Sequence, residues 1–249
     1  MRTALPDPLP EGVTVERDGP LLRVFGLDGG GFLTYADLAG LRGAELDALI
    51  ARQRELFLAR GEPVEWKLHG HDAPADLADR LVAAGFRPQA PETVMVGAVA
   101  PLAAALPVLP AQVRLREVSA RADLDRIADL KQAVWGEPGG WLADGLEREL
   151  ATDPAALTVV TAEVDGQVVS AGWVRYVKGT GFATLWGGST LPAWRRRGIY
   201  RALVVHRARL ADVRGYQLLQ VDASADSRPI LERLGFVEVT TTTPYVLTP

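Results

Sequence analysis

The sequence predicts a mixed α/β protein of two domains, the first a shortened copy of part of the second. Three observations carry this expectation. Apolar residues recur along the chain at the two-residue spacing of strands, alternating with segments spaced like one face of a helix. A charge-free stretch rich in Ala and Pro, residues 98–112, interrupts them near the middle of the 249 residues; its three prolines argue against a regular element there. Finally, features before that stretch return after it. Asp72-Ala73-Pro74-Ala75-Asp76 answers Asp222-Ala223-Ser224-Ala225-Asp226, Gly85-Phe86 answers Gly235-Phe236, and Thr93 and Val96 answer Thr243 and Val246, each pair 150 positions apart. Glycine ends many helices for capping reasons alone, but that does not explain several matches in one register. Residues 12–98 are therefore read as the shortened copy, within a first domain 1–98, followed by a linker 99–112 and a second domain 113–249.

In the second domain, residues 113–118 alternate as a strand. Residues 122–134 place Leu124, Ile127, Leu130 and Val134 on one helical stripe. Gly136 to Gly140 breaks that helix, and 141–151 reads as another. Residues 157–164 and 167–177 are strands joined by Asp165-Gly166, a tight-hairpin pair. Gly179-Thr180-Gly181 turns the chain into a strand over 182–190. Helix 198–212, strand 216–221, short helix 227–234 and strand 236–247 complete the order β-α-α-β-β-β-α-β-α-β. Gly29-Gly30-Gly31 is expected to make a hairpin turn in the copy.

Composition removes several classes of function. With 48% apolar residues and 23% charged ones, the chain has the makeup of an ordinary globular protein with a sizeable core. A formal net charge of −4 argues against a general nucleic-acid binder, which needs a basic field. The absence of cysteine excludes disulfides, thiolate zinc sites and a cysteine nucleophile. The longest apolar tract, 94–109, is interrupted by Pro101 and Pro107 and is too short to span a bilayer, and the first residues lack a signal-peptide core. A cytoplasmic location without membrane contact is expected.

The segment Thr190-Leu191-Pro192-Ala193-Trp194-Arg195-Arg196-Arg197-Gly198-Ile199-Tyr200-Arg201 joins a strand to a helix. A helix start presents unpaired N–H groups and the positive end of the helix dipole. Gly198 permits close approach or an unusual backbone angle, and the arginines supply charge for phosphate. A solvated basic helix start has the same composition. Its place directly after a core strand and a β-meander favours a site for a phosphate-bearing ligand, whose identity these residues leave open. No Gly-x-x-x-x-Gly-Lys-Ser/Thr occurs, and Gly26 to Gly31 lacks the dinucleotide-binding spacing.

In its context, this loop resembles the coenzyme-A pyrophosphate loop of the GNAT (GCN5-related) N-acyltransferases. Pro192, Arg195 and Gly198 match that family's pattern, with Tyr200 where Gly or Ala is usual. The likeness covers roughly residues 113–247 and implies a tandem arrangement, with a degenerate first copy that lacks the loop. It implies that the backbone N–H groups of Arg196 to Arg201, with Arg195 and Ile199 among the contacts, hold the pyrophosphate of acetyl-CoA. Ser189, Thr190 and Leu191 would pair with its pantetheine arm. The amine would then attack the thioester directly, in a gap between splayed parallel strands.

The family's usual acid, a Tyr four residues before the Gly of Gly-Phe, falls here on Leu231, so the likeness implies no general acid. Tyr200 and Tyr245 are possible substitutes or packing residues. Asp222, at the end of the strand after the cofactor helix, is the candidate base or ammonium partner; its other reading is a turn cap, which Asp72 in the copy supports. Glu137, flanked by Trp135 and Trp141, is placed toward the acceptor. His69, His71 and Asp72 include candidate metal ligands, but two alternating histidines without a clear third ligand make a weak set, and no metal is expected. His206 is read as a core or surface residue. Three functions compete: an acetyltransferase acting on a primary amine, a CoA-binding sensor without catalysis, and an interaction protein using the first copy as a partner or homodimer surface.

Overall fold

In the computed structural model, which describes residues 2–136 and 140–249, the chain divides into two compact units. The first holds residues 2–5, 11–93 and 240–249. Strands β1 (Thr14–Asp18), β2 (Leu21–Phe25) and β3 (Gly31–Thr34) form an antiparallel meander. Gly29 and Gly30 lie in the β2–β3 connection, with the Gly30 N–H donating to the Leu27 carbonyl at 3.0 Å, while Gly31 already opens β3. Next, β3 runs parallel to β4 (Val64–His69), and α1 (Gly43–Arg60) makes the crossover that a parallel pair requires. The short α2 (Leu77–Ala83) and β5 (Arg87–Pro88) follow. The chain's final strand closes this sheet, antiparallel to β4 from Thr242 opposite His69 to Leu247 opposite Val64. Leu33, Leu46, Phe57, Trp66 and Leu81 are fully buried between helices and sheet.

The second unit holds residues 6–10 and 94–239. It begins within β6 (Glu92–Ala98) and runs through α3 (Val99–Ala104), β7 (Arg114–Val118), α4 (Arg121–Trp135), α5 (Gly140–Thr152), β8 (Leu157–Val164), β9 (Gln167–Tyr176), β10 (Phe182–Thr190), α6 (Ile199–Val213), β11 (Leu218–Ala223) and α7 (Arg228–Arg233). The final strand of the chain is β12 (Val237–Leu247). The strand order is β6-β11-β10-β9-β8-β7. Asp165 (φ 46°) and Gly166 (φ 82°) make the β8–β9 turn, opposing Val164 to Gln167. Leu124, Leu142, Leu146, Val159 and Trp173 join α4 and α5 to one sheet face. Met95, Leu102, Leu185, Val204, Ala208 and Leu219 join α3 and α6 to the other.

Two expectations need correction. The stretch 98–112 contains α3, because Pro101 sits in the helix's first turn, where its missing N–H has no partner to lose. The boundaries 1–98 and 113–249 also keep each copy's last strand with the residues before it, whereas β6 from Val94 lies beside β11 in the second unit and β12 from Thr240 beside β4 in the first. Ladder bonds are made by backbone, and the two strands share their pattern, so nothing local in the sequence assigns either to its sheet. The echo of Gly-Phe has a common physical origin. Gly85 (φ 94°) and Gly235 (φ 88°) end α2 and α7. Phe86 N–H donates to Leu81 and Gly85 N–H to Val82, just as Phe236 donates to Leu231 and Gly235 to Glu232. This is the paired bonding of a left-handed helix stop, with Leu81 and Leu231 as its buried apolar anchors.

Candidate active site in the second unit

Strands β10 and β11 are parallel neighbours only from Phe182 opposite Leu218 to Thr184 opposite Gln220. Beyond Thr184 the register of β10 against β9 shifts between Trp186 and Ser189, a β-bulge. Glycine is required there. Gly187 has φ 66°, and a Cβ on it would fall 1.8 Å from the Trp173 ring. Past the bulge β10 has no ladder partner in β11, so the two strands open toward the loop that follows.

That loop passes through a single 3₁₀ turn, Pro192–Trp194, and then through Arg196 in the left-handed region (φ 60°) to Gly198 (φ 80°), the N-cap of α6. A Cβ on Gly198 would lie 2.8 Å from the Val108 carbonyl, so both its angle and its surroundings select glycine. No side chain caps the helix; its first N–H groups are left for a ligand or water. A cavity of about 300 Å³ opens here between the start of α6 and α7, lined by Thr190, Trp194, Arg195, Arg196, Gly198, Ile199, Tyr200, Arg201, Ile230, Arg233 and Leu234. Among the described residues no carboxylate pairs with Arg195, Arg196, Arg197, Arg201 or Arg233, unlike Arg116, Arg121 and Arg175 elsewhere in the unit. Unpaired guanidinium groups around uncapped N–H groups form an anion cradle.

Thr190, Arg195, Arg196, Gly198, Ile199, Tyr200 and Arg201, all foreseen, are brought together at this cavity. Three others are not among its lining. Ser189 accepts a bond from the Trp135 indole at 2.9 Å, Leu191 packs into the core, and the Arg197 guanidinium stacks 4.8 Å from the Trp194 ring. Trp194, together with Ile230 and Arg233 of α7 and Leu234 just after it, completes the lining, and none of them is among the residues the sequence points to.

Alternation along β11 buries Leu219, Val221 and Ala223 against the α6 side. Gln220 and Asp222 therefore face the α4/α5 side, where Gln220 Nε2 donates to Asp222 Oδ1 at 2.6 Å. On that face stand Trp173 and, opposite it in register, Trp186. The Trp186 ring is 44% exposed, and the Arg175 guanidinium lies 4.9 Å from its centre. Arg175 itself is held by both oxygens of Glu149 at 2.7 Å. Trp135 (53% exposed) and Trp141 (41%) border the same side, the latter with Lys131 Nζ 4.1 Å from its ring. Glu137 lies outside the described residues.

Behind the bulge sits Arg207 of α6, 1% exposed. Its Nη1 donates to the carbonyls of Trp173 (3.1 Å) and Trp186 (3.2 Å), and its Nε donates to Leu203 (3.1 Å). Burial pulls its guanidinium down to about 10, so it remains a cation at neutral pH. Tyr200 packs on Gly188 of the bulge; burial raises its phenol, partly offset by Arg207 and a bond to Ser227.

Residues 124–236 match the model of the acetyltransferase (GNAT) family. This segment is a GNAT domain. At the level of fold the likeness extends over almost the whole chain. A GCN5-related N-acetyltransferase from Kribbella flavida aligns with 96% of this chain and 90% of its own, with TM-score 0.69 and 19% identity. A conserved protein of unknown function from Staphylococcus epidermidis aligns over 97% and 96%, with TM-score 0.70 and 13% identity. A tandem GNAT protein from the clavulanic acid biosynthesis pathway aligns over 96% and 84%, with TM-score 0.64 and 15% identity. No curated protein matches the sequence. Among the described residues no helix is long and apolar enough to cross a membrane.

Leu231 of the GNAT domain is fully buried as the anchor of the α7 stop, which is why the position carries no acid. Tyr245 belongs to the first unit's core, opposite Trp66, and is no substitute. In that unit Asp72 is bound by Arg2, by the Tyr35 hydroxyl at 2.7 Å and by the His69 N–H at 2.8 Å. It is tied into its own unit rather than shared with the histidines. The His71 ring meets Thr240 at 3.0 Å, and His206 meets Glu117 at 3.2 Å. Among the described residues no three His, Asp or Glu converge as a metal-ligand set.

Proposed function

We propose that the GNAT domain transfers an acetyl group from acetyl-CoA to a primary amine by direct attack on the thioester. The observation that carries this reading is the junction of two features: the opening of β10 from β11 at the Trp186–Ser189 bulge, and the uncapped, arginine-ringed start of α6 beside it. The pyrophosphate would lie on the N–H groups of residues 196–201, charge-paired by Arg195, Arg201 and Arg233. The pantetheine would follow Ser189 to Leu191 into the gap. The amine would approach from the α4/α5 side, past Trp135, Trp141 and Trp186. There Asp222 holds the ammonium or takes its proton. The protein would act in the cytoplasm with one acetyl-CoA per chain, because the first unit has no equivalent loop.

One observation favours a second reading. Leu231 offers no proton to the departing thiolate, as in a CoA-binding sensor that has lost catalysis. Calorimetric titration with acetyl-CoA tests the common ground. One site per chain is expected, and it should be lost in an Arg195→Ala, Gly198→Asp double variant; no binding by the intact protein would end both readings. Release of free CoA in the presence of a panel of primary amines then separates them, because only the enzyme turns over.

A further inference from the structure

Among the described residues Arg207 is the only charged one in the buried interior. Its three bonds go to backbone carbonyls, and no carboxylate neutralises it among those residues. Two of those carbonyls, of Trp173 and Trp186, lie opposite each other just before the bulge. The guanidinium therefore clamps the strands where β10 departs from its register, and a Cβ at neighbouring Gly172 would meet Nη1 at 2.8 Å. A cation shielded from water and unpaired projects a field several times stronger than one at the surface.

Thioester aminolysis needs such a field. The amine lone pair forms the C–N bond, and the carbonyl oxygen becomes an oxyanion. The C–S bond then breaks with its electron pair on sulfur, and the ammonium proton leaves through base or water. Sulfur needs no proton if its negative charge is stabilised. We propose that Arg207 is a positioning residue that holds the bulge in place and, through its unneutralised charge, stabilises the CoA thiolate, replacing the proton donor that Leu231 cannot be. The proposal rests on the acyl-CoA reading above.

Arg195, Arg196, Arg201 and Arg233 ring the start of α6 and act in the same sense as Arg207, but they serve both CoA and desulfo-CoA through the phosphates; the remaining ionisable groups around α6 and the gap are engaged elsewhere or act in the opposite sense. On α6, His206 meets Glu117, Arg209 bonds the carbonyls of Ala103 and Ala105, and burial keeps the Tyr200 phenol neutral by raising it. On β9, Tyr176 bonds Thr158, and Arg175 is paired with Glu149 on the far face. Glu163 on β8 is paired with Arg116 and Arg126, and α3 carries no charge. Asp222 faces the gap from β11 and opposes a thiolate.

The test compares CoA with desulfo-CoA, which lacks the thiol, by calorimetry between pH 6.5 and 8.5, with thiolate absorbance of bound CoA as a second readout. CoA is expected to tighten about tenfold relative to desulfo-CoA across that range, as lowering the bound thiol from about 8.5 to about 7 would produce. Arg207→Met should abolish this tightening, read as the ratio of CoA to desulfo-CoA affinity within the same variant so that any loss from the displaced bulge cancels, and Arg207→Lys should retain part of it. Equal pH dependence of CoA and desulfo-CoA in the unaltered protein overturns the proposal and leaves the cofactor site standing; so does a thiolate signal that survives in Arg207→Met. Failure of both ligands to bind overturns the proposal together with the acyl-CoA reading. Should Arg207→Met not fold, the comparison in the unaltered protein and Arg207→Lys still decide.

Discussion

Substituting Gly187 by Ala isolates the geometric demand of the bulge. The residue has φ 66°, and the added Cβ would meet three atoms of the Trp173 ring at 1.8, 2.1 and 2.5 Å. That ring is only 6% exposed and is packed against α4 and α5, so it cannot swing aside into solvent. Left-handed backbone costs an alanine roughly 1–2 kcal/mol, and forcing extra volume into a packed site adds roughly 1–3 kcal/mol. A chain of this size loses about 2–4 °C of melting temperature per kcal/mol, so a fall on the order of 10 °C is expected. Gly215→Ala is the control. Its φ is 79°, with nothing within 4 Å of the added Cβ, so it carries the backbone cost alone. Thermal and urea melts of both variants, repeated in a Trp173→Leu background, close a double-mutant cycle. With the ring gone, Gly187→Ala should cost no more than Gly215→Ala, leaving a coupling of roughly 1–3 kcal/mol. Equal losses for the two glycine variants in the unaltered background would refute the reasoning, because Gly187 would then be held by backbone conformation and not by the indole behind it.

Three further outcomes follow from the same geometry. Burial raises the Asp72 carboxyl, but Arg2, the His69 N–H and Tyr35 outweigh it and hold it below the ordinary carboxylate range. Its stabilisation is therefore complete above pH about 4 and is lost as pH falls through the lower folded value. Urea midpoints should drop below pH 4 in the unaltered protein and drop less steeply in Asp72→Asn, where Asp18, Asp123 and, despite its burial, Glu163, also held low by arginines, still titrate; that variant should already be weaker by roughly 3 kcal/mol at neutral pH. Arg233→Ala should weaken acetyl-CoA binding about tenfold and flatten its salt dependence in a calorimetric series at rising ionic strength, whereas unchanged affinity would remove α7 from the site. Leu231→Tyr, which restores the family's usual residue, should lower stability by roughly 1–3 kcal/mol because the position is a filled core site. It should give no gain in turnover with the amine panel; a gain would show that the site has room for the acid after all.

What the sequence disclosed about this protein is what local chemistry encodes. Asp165-Gly166 can hardly be anything but a tight hairpin, and a glycine after three arginines at a helix start, set directly after a core strand and a meander, favours an anion site over a merely solvated basic turn. The pairings that close the architecture are not local. Arg2 meets Asp72 across 70 residues, and Thr242 meets His69 across a longer separation still. Neither partner carries a mark that names the other. The exchange of β6 and β12 was hidden for a further reason: the likeness between the copies that made the repeat visible also makes the two strands interchangeable to any reading of pattern.

Arg207 stands between these cases, because its signal was present. Ile199, Leu203 and Arg207 follow one another at four-residue steps, which places all three on the same stripe of α6. The first two are 1% and 0% exposed, and the stripe faces the core. An arginine at the next step of such a stripe breaks the binary pattern, and a sequence that is locally consistent elsewhere breaks that pattern chiefly where function or strain is stored. A sequence reading that treats arginine as a surface residue by default discards this conflict. The same reasoning bears on Leu231, where an apolar residue stands on its own core stripe and breaks nothing. Burial costs the Arg207 cation solvation and pulls its guanidinium down to about 10, but its three bonds to backbone carbonyls offset that cost whether or not the domain turns over. The presence of Arg207 is thus accounted for by the clamp alone, and only a difference between CoA and desulfo-CoA that depends on it assigns its charge to the thiolate.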